Sequence, residues 1–245
     1  MYTDTQQVQP YVRLGSAILP PAQMRLCGEE FKDDAYYLES TRKEAQKLID
    51  RCGLSINSSI LDVGCGVGRL ATGLIEALGT VRKYRGIDVM PGYVQWCRMY
   101  ISSQHPSFQF MHLNMANDRY NPGGMVIDEN FKFPFDDDEF DLIYLYSVFS
   151  HMDKEDVRNY LRDFYRILKP DGKIFFTTFV EENVPDFTVN PEGYRMNWNG
   201  ALHCVRFDKS YLEKMLDETG FRLDLFDYEK ETDGQSGLYI SHKNS

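Results

Sequence analysis

Three glycines fall at alternate positions in the run Ile60-Leu61-Asp62-Val63-Gly64-Cys65-Gly66-Val67-Gly68-Arg69-Leu70. The side chain is missing at every second residue between a strand-like run and a helix-like one, so the backbone there can approach a ligand closely. Open α/β sheets bind ligands at the carboxyl ends of their strands, where such a turn lies. The dinucleotide fingerprint G-x-G-x-x-G needs its third glycine at position 69, which is Arg69. A second acid, Asp88, closes the next strand-like run, 20 residues after Gly68. A carboxylate there can accept hydrogen bonds from two vicinal ribose hydroxyls, which fits an adenosine ligand. The plainer alternatives are a glycine turn in a generic α/β unit and an aspartate that caps the helix opened by Pro91.

Three further groups invite a chemical reading. His151 follows a strand-like run, Phe140 to Leu145, at the same carboxyl edge, where an imidazole can remove a proton from an acceptor hydroxyl; a histidine that packs or caps at a helix entry is the alternative. Tyr194, Trp198, His203 and Arg206 lie in a long irregular stretch, residues 181–207, that can roof an acceptor pocket and exclude water, or form an ordered surface excursion. Between Asp128 and Asp141 stand seven acidic residues and one lysine. Their place in a loop before a strand reads as a solvated acidic turn, and no metal is expected.

The elements that must position these residues alternate in period. Residues 36–52 read as a helix stopped by Gly53, residues 59–63 as a strand, and residues 70–78 as a helix ending at Gly79. A strand at 84–88, a helix from Pro91 closed by His105-Pro106, and a strand at 108–112 follow; residues 115–135 form a loop-like insert. Beyond the strand at 140–145 come a helix at 153–168, a turn at Pro170-Asp171-Gly172 and a strand at 173–180. After the irregular stretch, a helix at 208–219 leads to strand-like runs at 221–228 and 238–241. The alternation predicts an α/β fold with a mostly parallel sheet covered on both faces. Residues 1–35, with Pro10, Pro20 and Pro21, read as an irregular arm, and residues 36–245 as a single domain.

Composition narrows the function classes. The 245 residues are 42% apolar and 26% charged, an ordinary globular balance. Acids outnumber bases 37 to 27, and the bases are scattered, which disfavours a nucleic-acid or anionic-membrane footprint. The start Met1-Tyr2-Thr3-Asp4 lacks a secretory pattern, and no run is long enough to span a membrane, so a cytoplasmic protein is expected. The five cysteines, Cys27, Cys52, Cys65, Cys97 and Cys204, form no C-x-x-C pair and read as reduced, mostly buried thiols.

Four segments together resemble the class I S-adenosylmethionine-dependent methyltransferases over roughly residues 36–180. They are Leu61-Asp62-Val63-Gly64-Cys65-Gly66-Val67-Gly68; Gly86-Ile87-Asp88-Val89; Phe133-Pro134-Phe135 through Phe140-Asp141-Leu142-Ile143; and Leu168-Lys169-Pro170-Asp171-Gly172-Lys173. The resemblance implies a Rossmann-like, seven-stranded sheet with its last strand antiparallel, S-adenosylmethionine as cofactor and S-adenosylhomocysteine as product. It also implies that Asp62, Gly64, Cys65, Gly66 and Gly68 surround the methionine portion and ribose, that Asp88 holds the ribose hydroxyls and that Val89 packs on adenine. Asn114 matches an acid that contacts the adenine amino group in many members, with Met115 beside it; Tyr146 and Ser147 fall where acceptor and sulfonium meet. N-terminal additions commonly cover the cofactor in this family, which makes Tyr11, Tyr36 and Tyr37 candidates. The implied reaction is methyl transfer to an oxygen or nitrogen of a small biosynthetic intermediate of sugar-bearing or secondary-metabolite type, by a monomer or homodimer without nucleic-acid or membrane partners. Methylation of protein or RNA, and S-adenosylmethionine binding without catalysis, are the alternatives.

Overall fold

The computed structural model describes residues 10–26 and 28–243, so Cys27 and the first nine residues lie outside the described residues. An N-terminal hairpin, β1 (Val12–Leu14) and β2 (Ala17–Leu19), precedes α1 (Asp34–Cys52). β3 (Ser59–Val63), α2 (Arg69–Leu78), β4 (Lys83–Asp88), α3 (Pro91–Cys97), β5 (Phe108–His112) and β6 (Phe140–Leu145) then alternate. α4 (Lys154–Ile167) leads into the long β7 (Leu168–Glu181), followed by the short β8 (Phe187–Val189) and β9 (Val205–Asp208). The described chain closes with α5 (Lys209–Glu218), β10 (Phe221–Asp227) and β11 (Ser236–His242).

The central sheet runs β10-β11-β7-β6-β3-β4-β5. β3, β4, β5, β6 and β7 are parallel, and β11 is antiparallel to both its neighbours, as the resemblance implies. β9 adds a short parallel pairing to β7 and carries β8 as its antiparallel partner. Neighbouring residues of one strand point to opposite faces, and both faces are dry here. Ile60, Leu142, Tyr144 and Phe175 pack beneath α1, α2 and α3, while Leu61, Ile143, Leu145 and Phe176 pack beneath α4 and α5. That burial fixes the register, because a one-residue slip would exchange the two faces.

Helix ends follow local chemistry. Asp33, Asp153 and Asp208 each accept a backbone N–H at the start of α1, α4 and α5, and Gly53 ends α1 in the left-handed region at φ 69°. α3 continues as a π-helical turn through Arg98–Ser102. No described helix is long and apolar enough to cross a membrane.

Three segments depart from the sequence expectation. The arm is ordered. Leu19 and Phe31 are buried against Tyr37 and Leu38, and the Arg25 guanidinium donates to the carbonyls of Pro20, Phe31 and Lys32 and pairs with Asp34 at 2.5 Å. Strands of three residues are too short to reveal a period. β7 begins at Leu168, before the expected turn at Pro170-Asp171-Gly172, and pairing with β6 jumps there from Phe140–Leu168 to Leu142–Lys173, so the turn loops three extra residues out of the register inside the strand. Within 181–207, β8 and the start of β9 are regular, which anchors that stretch to the sheet.

α1 and α2 approach so closely at Gly73 that a Cβ there would overlap the Thr41 carbonyl. Alanine gains roughly 1 kcal/mol of helix propensity over glycine, but overpacking against immovable backbone costs about 1–3 kcal/mol. Gly73→Ala is therefore expected to lower the thermal midpoint by a few degrees; an unchanged or raised midpoint would show that the helices separate freely.

Candidate active site

The glycine turn is held by the end of the neighbouring strand. Gly64 and Cys65 donate their N–H groups to the Ile87 carbonyl at 2.8 and 3.0 Å, and Gly66 N–H donates to Asp88 Oδ2 at 2.8 Å. Asp88 Oδ1 accepts Met90 N–H, also at 2.8 Å, so one carboxylate bridges the turn and the α3 entry. Gly64 has φ +72° and its Cβ would meet Val148 Cγ2 at 2.5 Å, whereas a Cβ on Gly66 would face open space. Gly68 has another role: its Cβ would meet Ile101 Cδ1 at 2.5 Å, so its bareness lets α2 begin against the π turn.

In front of this edge lies a cavity of about 390 Å³, within the range of small-molecule sites. It brings together Asp62, Gly64, Cys65, Gly66, Asp88, Val89, Met115, Tyr146, Ser147, His151, Trp198 and His203. Tyr37 also lines it, together with Met24, Leu26 and Gly28 from the arm. Six expected residues lie outside the lining. Gly68 packs as described, and Asn114 turns outward, its Oδ1 accepting from Asn121 Nδ2 at 2.9 Å. Tyr11 packs on Tyr100 and Tyr36 on Phe31. Tyr194 donates to Glu181, with the Arg206 guanidinium over its ring, and its carbonyl accepts Trp198 Nε1–H at 2.7 Å, so this pair stands behind the lining tryptophan. None of residues 128–141 lines the cavity; Asp137, Glu139 and Asp141 pair with Arg166, Lys83 and Lys169.

Beside Ser147 in the cavity wall, His151 Nδ1 is 3.0 Å from the Leu202 carbonyl. A carbonyl only accepts, so Nδ1 carries the proton and Nε2 presents its lone pair, 3.4 Å from Ser147 Oγ. Burial, opposed by the Leu202 bond and assisted by nearby Arg119 and His203, lowers the His151 pKa to about 4. Ser147 sits at φ +56°, a conformation costly for a non-glycine residue. Its N–H donates to Thr177 Oγ1, which donates to Gln235 Oε1, and Gln235 Nε2 donates back to Ser147 Oγ at 2.9 Å. That closed ring over-determines the strained residue.

The cofactor end fits a cationic adenosyl group. Asp62 is 2% exposed, takes the Tyr84 hydroxyl, and is pushed by burial to about pH 7, so its carboxylate lacks full positive compensation even with Arg69 near. Asp88 keeps free lone pairs on both oxygens, and Gly66 leaves room beside it. Arg69, Arg119, Tyr120, Thr232 and Gln235 also line the cavity and were not singled out from the sequence. Only Arg69 had a local signal, its place just after the glycine run.

A family described as a methyltransferase domain matches residues 37–225. Methyltransferase GfsG of Streptomyces halstedii is 26% identical over 148 residues, 60% of this chain and 47% of that protein. Phosphoethanolamine N-methyltransferase of Plasmodium falciparum is 27% identical over 154 residues, 61% of this chain and 50% of that protein. Magnesium protoporphyrin IX methyltransferase of Synechocystis PCC 6803, solved with S-adenosylhomocysteine, shares the fold with a TM-score of 0.59 at 13% identity, over 91% of both chains. The chain spans about half the length of the curated relatives it matches. This chain belongs to the methyltransferase-domain family, among the class I S-adenosylmethionine-dependent methyltransferases. The cofactor of that class is S-adenosylmethionine, and S-adenosylhomocysteine is what remains of it after transfer.

Two outcomes are expected from this geometry. Asp88→Ala should weaken S-adenosylhomocysteine binding by about 10- to 100-fold in a calorimetric titration while the fold persists; unchanged affinity would remove the ribose assignment. The His151 pKa, lowered on folding from 6.5 to about 4, contributes stability that is present above pH 6.5 and lost as pH falls towards 4. Asp62, raised to about 7, acts in the opposite sense, its contribution being lost as pH rises through 7. The comparison is therefore with His151→Gln, whose stability should fall less than the wild type's between pH 6.5 and 4 in denaturant titrations; parallel curves would contradict the buried neutral imidazole.

Proposed function

We propose that this chain transfers the methyl group of S-adenosylmethionine to a hydroxyl oxygen or amine nitrogen of a small biosynthetic intermediate of sugar-bearing or secondary-metabolite type. The observation that carries this reading is a single cavity that runs from the Asp88 carboxylate to the lone pair of a neutral His151. When bound, the cofactor supplies a methyl group on a sulfonium, whose departure leaves a neutral thioether. Asp88 holds the ribose hydroxyls, Val89 and Met115 flank the adenine, and Asp62 compensates positive charge at the methionine end.

His151 receives the acceptor's proton at Nε2. An acceptor oxygen becomes strongly acidic as it gains the methyl group, so a base of low pKa suffices late in the transfer. The Leu202 carbonyl holds the ring through Nδ1 and leaves Nε2 open, and Trp198 and His203 cover the acceptor. The protein's main contribution is orientation, since the donor is already activated. Residues 36–245 act as one methyltransferase unit in this reading, with the arm and residues 181–207 as its covers. The small volume of the cavity and the net charge of −10 support a small acceptor over RNA, and this reading has the chain act in the cytoplasm without membrane or nucleic-acid partners.

The test is transfer of radiolabelled methyl from S-adenosylmethionine into a lysate of the source cells, separated into small-molecule, protein and RNA fractions, with Asp88→Ala as control. Label in the small-molecule fraction is expected. Label in protein or RNA would replace the acceptor class, and cofactor binding with no label in any fraction would favour a binding protein. With the labelled acceptor in hand, His151→Ala should lower kcat by about 10²- to 10⁴-fold and leave cofactor affinity within about twofold; normal turnover at saturating acceptor would dismiss the base role.

A further inference from the structure

The acceptor end holds a cation whose charge the fold leaves unanswered. Arg119 lines the cavity, makes no ion pair among the described residues, and its buried Nε has no hydrogen-bond partner. With no carboxylate paired to it among the described residues, the guanidinium can turn its terminal N–H groups to an acceptor that enters the cavity. Arg69, the other lining arginine, donates to the Tyr144 hydroxyl and stacks on Tyr146.

Arg119 is also held in place. Asn117 Oδ1 accepts the N–H groups of Arg119 and Tyr120 at 3.1 and 3.0 Å, while Asn117 Nδ2 donates to the His151 carbonyl at 2.8 Å. The guanidinium lies 5.4 Å over the Tyr120 ring, which packs edge-on against His151. The turn that presents the cation is thus fastened to the segment that presents the candidate base. His203 lines the same cavity with Nδ1 held by Asn199, and no described residue bonds its Nε2. The carboxylates that line the cavity are Asp62 and Asp88 at the cofactor end and Asp233, which faces His203 and Glu30.

We propose that Arg119, with His203 in the same lining, forms an oxyanion subsite that binds a carboxylate or phosphate group of the methyl acceptor and sets its nucleophilic atom beside His151. This rests on the methyl-transfer reading above. A guanidinium matches either oxyanion by paired N–H donors, so the shared chemistry is a planar or tetrahedral oxyanion on the same small molecule as the methylated group.

The probes are inorganic phosphate and benzoate, each titrated into protein saturated with S-adenosylhomocysteine and into protein without it. Trp198 emission is the readout; it packs edge-on against His203 at 5.2 Å, and Trp96 is the chain's other tryptophan. Saturable binding of at least one anion in the millimolar range is expected. Arg119→Gln should weaken it by about tenfold or more, and Arg119→Lys should recover part of the loss. Preference for phosphate or for benzoate would tell a phosphorylated acceptor from a carboxylic one. Identical titrations of wild type and Arg119→Gln, or no saturation of the wild type by either anion at about 100 mM, would overturn the subsite. Calorimetry with S-adenosylhomocysteine separates the two failures. Intact cofactor binding with anion binding indifferent to Arg119 sinks the subsite alone, and absent cofactor binding sinks the methyl-transfer reading and the subsite with it.

Discussion

The carboxyl edge of the parallel strands is tied together by two acceptors at the end of β4. The Ile87 carbonyl takes the N–H groups of Gly64 and Cys65, and the Asp88 carboxylate takes those of Gly66 and Met90. An amide left unpaired there would be expensive, so the path of the turn after β3 follows from where β4 stops. The helices α2 and α3 start from those two ends. The register of two buried strands therefore sets where a ligand's polar groups can be met, and the side chains lining the cavity elaborate that frame.

The opposite wall depends on buried charge. Lys47 on α1 pairs with Glu44 at 3.0 Å and with Glu231 at 2.7 Å, its ammonium 4.5 Å from the Phe175 ring. Such a group is tolerated only when well paired, and removing one partner leaves another charge stranded. Glu231 belongs to the connection between β10 and β11, and the next residue, Thr232, hydrogen-bonds the Tyr146 hydroxyl at 2.7 Å. A helix early in the chain thereby fixes a late loop against the strand end that carries Tyr146 and Ser147.

What the sequence made legible is what local rules control. The glycine turn, Asp88, the alternating helices and strands, and His151 beyond β6 depend on near neighbours and on burial that repeats with a fixed period. Asn114 shows the limit. Leu113, Met115, Ala116 and Asn117 line the cavity while Asn114 faces outward and accepts from Asn121, a contact set by the turn that follows β5 and not by a strand period. Arg119, Thr232 and Gln235 come from loops whose placement depends on partners 30 to 90 residues away, such as Asn117 with His151 and Gln235 with Ser147. No spacing rule reaches that far. The described part of the arm is illegible for a different reason: its strands are three residues long, and a buried arginine bonded to loop carbonyls, beside a small apolar cluster, holds it.

The order of the sheet also bears on how the molecule comes into being. β11 follows β10 in the chain yet lies between β10 and β7, so β10 has no sheet partner until β11 has arrived. Closing that arrangement requires pairing between segments some 60 residues apart, β7 with β11, the slow kind of step in folding. Thr232 and Gln235 sit in or beside the span that this insertion draws taut. The Asp88 end of the cavity is made from β3 and β4, neighbouring segments, whereas the Ser147 end also needs Gln235, which directly precedes β11. A chain in which β11 has not yet inserted therefore leaves the Ser147–Thr177–Gln235 ring open, while the Gly66–Asp88 bond needs only β3 and β4.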